Sequence, residues 1–124
     1  WYQEVQMEFE VIFYETENGQ KPVEDFLLSL NTKMRTKMVQ MMEILEDKGL
    51  ALREPYTKPL GDGIFELRCK LASDISRALF FFYIGQKIIV TNGFIKKTMK
   101  TPQKEIRLAQ ERRADYIRRM EEAK

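Results

Sequence analysis

The chain has 124 residues, 44% of them hydrophobic and 32% charged, which is enough for one domain with a real core and too little for two. It holds no histidine and a single cysteine, Cys69, so His-pair ribonuclease chemistry, Ser-His-Asp and Cys-His sites, an intramolecular disulfide and the usual zinc donor sets are all excluded. A net charge of +2 conceals an asymmetry: residues 1–52 carry 5 Lys+Arg and 10 Asp+Glu, net −5, and residues 53–124 carry 16 and 9, net +7, so a polyanion is expected to meet the second half.

Trp1 to Gln6 show no pattern and read as a tail outside the core. Glu8 to Glu15 alternates, with Phe9, Val11 and Phe13 on one face of a first strand that Asn18-Gly19 ends. Pro22 opens a helix with Glu24 and Asp25 in its first turn, and Val23, Phe26, Leu27 and Leu30 keep the i, i+3, i+4, i+7 spacing. Thr32 reads as the cap of a second helix in which Met34, Met38, Met41, Met42 and Leu45 form one stripe, ended by Gly49. Such a stripe suits a partner groove or, more commonly, the packing of a helix on a sheet. Leu50 to Gly63, with Pro55, Pro59, Gly61 and Gly63, reads as a loop that carries Lys58.

From Ile64 to Leu71 the side chains alternate again, Phe65, Leu67, Cys69 and Leu71 on one face and Glu66, Arg68 and Lys70 on the other. This predicts a half-buried strand with a charged outer face. Ile75 to Ile84 is the β-branched and aromatic run of a central strand, with Arg77 near its start. Gly85-Gln86 predicts a type II′ turn into a partner strand over Lys87 to Ile95. Lys96, Lys97 and Lys100 then crowd into five residues, so cations from three neighbouring segments are expected at one spot. Thr101 reads as the cap and Pro102 as the first residue of a last helix. Its apolar stripe of Ile106, Ala109, Ile117 and Met120 is thin, and Lys104, Arg107, Arg112, Arg113, Arg118 and Arg119 make it basic.

The sum is an α+β chain: an N-terminal strand, a two-helix hairpin, a mainly antiparallel four-stranded sheet and a C-terminal helix. The longest apolar run, Ala78 to Ile84, is far short of the roughly 20 residues that cross a bilayer, and no basic-then-apolar signal precedes the first strand. With one cysteine, a cytoplasmic protein without membrane partner is the expectation.

Lys58-Pro59-Leu60-Gly61-Asp62-Gly63-Ile64-Phe65-Glu66-Leu67-Arg68, then Ser76-Arg77, then Gly93-Phe94-Ile95-Lys96-Lys97-Thr98-Met99-Lys100-Thr101-Pro102 resemble the phage-derived branch of the RelE/ParE superfamily, the HigB-type toxins of bacterial toxin–antitoxin pairs. The resemblance runs from about Phe9 to Arg119. It implies a RelE-like fold and a ribosome-dependent endoribonuclease that enters the decoding site and cuts mRNA by attack of the ribose 2′-OH on the adjacent phosphate, with no metal or other cofactor. It also implies a cognate helix-turn-helix antitoxin, encoded beside the toxin. The residues accommodate that chemistry, because the pentacovalent transition state gathers negative charge that preorganised cations stabilise.

By the resemblance, Arg68 matches a catalytic residue on the second strand, Arg77 the arginine of the third, Lys97 or Lys96 the basic residue after the fourth, and Lys58 a loop lysine that contacts RNA. Lys100 and Lys70 extend the RNA surface, and Phe94 is positioned to stack on a base. In a dense cation cluster a lysine loses basicity, which makes Lys96, Lys97 or Lys100 a candidate base. Glu66 stands where some relatives carry lysine, as RNA contact, base, or partner of Arg68 or Lys70, and no tyrosine follows Lys100 before Tyr116, so the general acid is unassigned. Two other classes remain open: a non-enzymatic toxin on the same scaffold that binds and inhibits gyrase, and a metal-dependent nuclease built on Asp62, Glu66 and Asp74.

Overall fold

The computed structural model describes residues 8–96 and 100–124. The tail over residues 1–6 and the candidate Lys97 therefore lie outside the described residues. The elements are β1 (Glu10–Phe13), α1 (Pro22–Ser29), α2 (Thr32–Lys48), β2 (Thr57–Gly61), β3 (Ile64–Leu71), β4 (Asp74–Tyr83), β5 (Lys87–Ile95) and α3 (Gln103–Glu122). The sheet has five strands, not four, in the order β1-β5-β4-β3-β2, and β1 alone runs parallel to its neighbour. The extra strand comes from the segment read as a loop. Pro59 cannot donate to a ladder and Gly61 packs nothing, so the sequence looks unlike a strand, yet β2 is an edge where both are tolerated.

Both faces of the sheet are covered. On one, the methionine stripe of α2 and Val23, Leu27 and Leu30 bury against Leu67, Cys69, Ala78, Phe80, Ile88 and Val90. On the other, Tyr116 and Ala109 of α3 meet Ile64, Leu79, Phe81 and Ile89. This explains why Ala78 to Phe81 is apolar at every position: alternate residues face two different helical layers. Cys69 is a core residue, its Sγ 3.6 Å from Met34 Sδ, and burial pushes its thiol pKa up.

Several local expectations shift by a residue or a role. Asn31, not Thr32, caps α2, its Oδ1 accepting from the Met34 amide at 2.9 Å. The two adjacent residues are comparable caps, and the chain's extended conformation at Asn31 chooses between them. The turn after β4 has positive φ at both Gly85 (84°) and Gln86 (62°), whereas type II′ needs it only at the first. α3 starts without a side-chain cap at Pro102, because the Thr101 hydroxyl is committed elsewhere.

One irregularity orients the functional face. Between β4 and β5 the register slips, Leu79 opposite Asn92 but Phe80 opposite Val90, leaving Thr91 as an extra residue. A one-residue bulge exchanges the faces of everything beyond it. Gly93 therefore opposes Ala78 on the α1 side, and Phe94 opposes Arg77 on the α3 side. Lys96, two residues further on, follows Phe94.

Candidate active site

Arg68 on β3 and Arg77 on β4 are directly opposed across the antiparallel ladder, so their guanidinium groups share one face of the sheet. Glu66, two residues before Arg68, shares it too. Its carboxylate gathers the cations. Arg68 Nε donates to Glu66 Oε1 at 3.2 Å, Arg77 Nε pairs with the same oxygen at 3.3 Å, and Lys96 Nζ stands 3.8 Å from it. The second oxygen, Oε2, accepts from the Thr101 hydroxyl at 2.5 Å. Side-chain exposure falls from 24% at Arg68 to 10% at Arg77, 5% at Lys96 and zero at Glu66.

The electrostatics follow from this geometry. Three cations around one carboxylate leave an excess of two positive charges in a site largely closed to water. Burial lowers the Lys96 pKa from its ordinary value, helped by the charges of Arg77, Arg68 and Lys58 and opposed by Glu66. Arg77 is likewise lowered, first by burial and then by Arg68. Such a cluster can hold an anion of at least two charges, and the face around it belongs to the half of the chain with net charge +7.

The pattern and the chain around it agree with a known family. The model of the phage-derived Gp49-like proteins (DUF891) matches residues 25–114. The chain belongs to this Gp49-like family. The family is RelE-like and toxin-like, and membership implies an antitoxin partner. No curated protein matches the chain. The matched stretch contains α2, all of β2 to β5 and most of α3, hence every described cation of the cluster.

The other candidates fall into place around Glu66. Lys58 opposes Glu66 across β2 and β3, exposed, beside Lys96. Phe94 is half-buried opposite Arg77. Lys100 is exposed and lines a groove of about 360 Å³ with Lys58, Leu60 and Ile106. Lys70 stands at the other side, in a cleft of about 350 Å³ shared with Arg68 and Arg77.

One expectation needs correction, and two sequence features find their place in the fold. Glu66 was read on the charged outer face of its strand as an RNA contact, a base, or the partner of Arg68 or Lys70; the pairing with Arg68 holds and the solvent-facing position does not. It is fully buried, both oxygens are engaged, and its partners are Arg68, Arg77, Lys96 and Thr101, with Lys70 not among them. The basic helix is a structural device: Arg112 donates to the Thr91 carbonyl, Arg113 pairs with Asp62, and Arg118 and Arg119 pair with Asp115. Tyr116, the first tyrosine after Lys100, packs edge-on against Phe81 and Tyr83 in the core. For the metal reading, Asp62 is held by Arg113, and no group of three acidic, Cys or His side chains suited to a metal occurs among the described residues.

Sequence reasoning missed Thr101, which looked like an ordinary helix cap, together with Lys37 and Tyr56, which line the cleft beside Lys70. Periodicity carries no signal for a side chain whose neighbours come from other elements. A further cleft of about 410 Å³ between β1 and α2, rimmed by Glu15, Glu24, Glu43 and Glu46, has the wrong charge for a polyanion.

Proposed function

We propose that this Gp49-like protein is the toxin of a HigB-type pair, a ribosome-dependent endoribonuclease that halts translation by cutting mRNA. The observation that carries the reading is the meeting of Arg68, Arg77 and Lys96 on one buried carboxylate. In-line attack of a 2′-OH on the neighbouring phosphate forms a 2′,3′-cyclic phosphate as the P–O5′ bond breaks, the leaving 5′-oxygen taking its proton from solvent, and it needs charge stabilisation on the phosphoryl oxygens and a group to take the hydroxyl proton. The two guanidinium groups supply the first, each able to bind two oxygens. Lys96, whose burial and cationic neighbours favour the neutral amine, supplies the second. Glu66 holds the three cations in place without touching substrate, and Lys58, Lys100 and Phe94 flank the strand.

The test is induction of the chain and of its Arg68→Ala form in bacteria, followed by mapping of mRNA 5′ ends. Cleavage within translated frames that vanishes with the substitution is the expected result. Growth arrest with intact transcripts and stalled replication would instead mark a gyrase inhibitor, and co-expression of the neighbouring antitoxin gene should relieve the arrest in either case.

A further inference from the structure

We infer that the cleft of Lys37, Tyr56, Arg68, Lys70 and Arg77 is a nucleotide subsite, in which Tyr56 stacks on a base of the single strand next to the bond to be cut and Lys37 and Lys70 hold its phosphate. The inference rests on the nuclease reading and extends it.

The cleft follows from the shortness of β2. Its ladder with β3 ends at Thr57 opposite Leu67, with one further backbone bond from Arg68 N to Tyr56 O, so Cys69 to Leu71 form an open edge, and the space beside that edge is about 350 Å³. Among the described residues, four cations from α2, β3 and β4 line it, and no carboxylate does. The two arginines are those of the catalytic cluster, so an occupant of the cleft is contiguous with the scissile phosphate. Lys37 Nζ donates to the Lys70 carbonyl, which fixes it over the edge and leaves its other two N–H groups for a ligand.

Tyr56 makes the ligand a nucleotide rather than a bare anion. Its side chain is large and half exposed, at 51%, and no ring contact among the described residues engages its face. Its backbone is nevertheless fixed on both sides, the amide donating to Arg53 O at 2.9 Å and the carbonyl accepting from Arg68 N at 2.8 Å. Thr57, next in the chain, is tied by its hydroxyl to Leu52 O at 2.6 Å. An exposed aromatic ring on an immobile backbone, flanked by cations, is a stacking platform at little entropic cost. An acidic peptide would use the cations but would gain little from the ring.

The experiment measures fluorescence anisotropy of a labelled six-nucleotide oligomer, 2′-deoxy throughout to prevent cleavage, with the full chain and with Tyr56→Ala, Tyr56→Phe, Tyr56→Leu, Lys37→Ala and Arg68→Ala. Tyr56→Ala and Tyr56→Leu should weaken binding by about 5- to 100-fold and Tyr56→Phe by less than about twofold. An abasic nucleotide at one position of the oligomer should abolish that difference. Lys37→Ala should lower the slope of log K against log salt by about 0.7. If Arg68→Ala loses binding while Tyr56→Ala and Tyr56→Leu keep it, the subsite is overturned and the nuclease reading stands. If the unaltered chain binds no oligomer, or binds no better than Arg68→Ala, the subsite is overturned, and the mapping of mRNA 5′ ends alone decides the ribosome-dependent nuclease reading. Retained oligomer binding with a weakened antitoxin complex in Tyr56→Ala would assign the ring to the protein partner and likewise overturn the subsite.

Discussion

Replacing Glu66 by glutamine removes one negative charge from the centre of three cations and leaves the shape of the side chain almost unchanged. Arg77 and Lys96 are at most 10% exposed in that position, so water cannot take over the role of counter-ion. Removing one member of a buried ion pair costs about 3–5 kcal/mol, and because the amide keeps a contact for Thr101 we expect the lower end, ~3 kcal/mol at pH 7. For a chain of this size that is a fall in Tm of about 10 °C. The cost has a pH signature. Unfolded Lys96 keeps its proton up to its ordinary pKa of 10.5, and the folded value lies lower. Between the two, the unfolded state binds more protons, so stability rises with pH as the buried amine sheds its charge. Without Glu66, the one group that opposes the lowering, Lys96 loses its proton at a still lower pH. The gap between variant and parent should therefore narrow from pH 7 to pH 9.5. Urea titrations at both pH values measure it, with the m-value checking that the unfolding remains two-state. A gap below about 1 kcal/mol at pH 7, or one that stays constant or widens with pH, would refute the view of Glu66 as the buried counter-ion.

Lys96→Arg keeps the charge but offers no removable proton; cleavage should fall by about 10²–10⁴-fold, and the rise of rate with pH towards the lowered Lys96 pKa should disappear. The same pH slope in parent and variant would exclude Lys96 as the base. At the other end of α3, Asp115 accepts the Tyr14 hydroxyl at 2.6 Å and pairs with Arg118 and Arg119, which hold its pKa down at about 2. Its contribution is complete above the ordinary carboxylate value of 3.8 and is lost as pH falls towards 2. Partial exposure limits it to about 1–2 kcal/mol. Asp115→Asn should lose that stability at pH 7 and flatten the acid limb of the unfolding profile. Gly93→Ala would bring a Cβ to 2.3 Å from the Phe26 ring and should cost about 1–3 kcal/mol; Phe26→Leu, combined with it, should recover part of the loss in a double-mutant cycle.

The order of elements, the helix faces and the strand faces of this protein were legible in its residues because they are local: periods of 3.6 and 2 name the buried positions wherever the neighbours are covering layers. Met34, Met38 and Leu45 could be placed in the core from spacing alone, and cations from neighbouring strands were expected to converge, but the register that sets Arg68 opposite Arg77 belongs to the fold. Absence was equally informative, since a chain without histidine must perform acid–base work with other groups. The tertiary structure decided what depends on partners distant in sequence. Glu66 looked like a surface residue because alternation cannot tell a face open to water from one covered by other elements; Lys96 and its 35-residue link to Thr101 made it a buried hub. β2 exists through pairing that Pro59 and Gly61 argue against. The extra residue at Thr91 turned Phe94 and Lys96 towards the arginines. A single slip of register has no signature in composition, yet it sets which side chains share a face, and so whether these cations form one site.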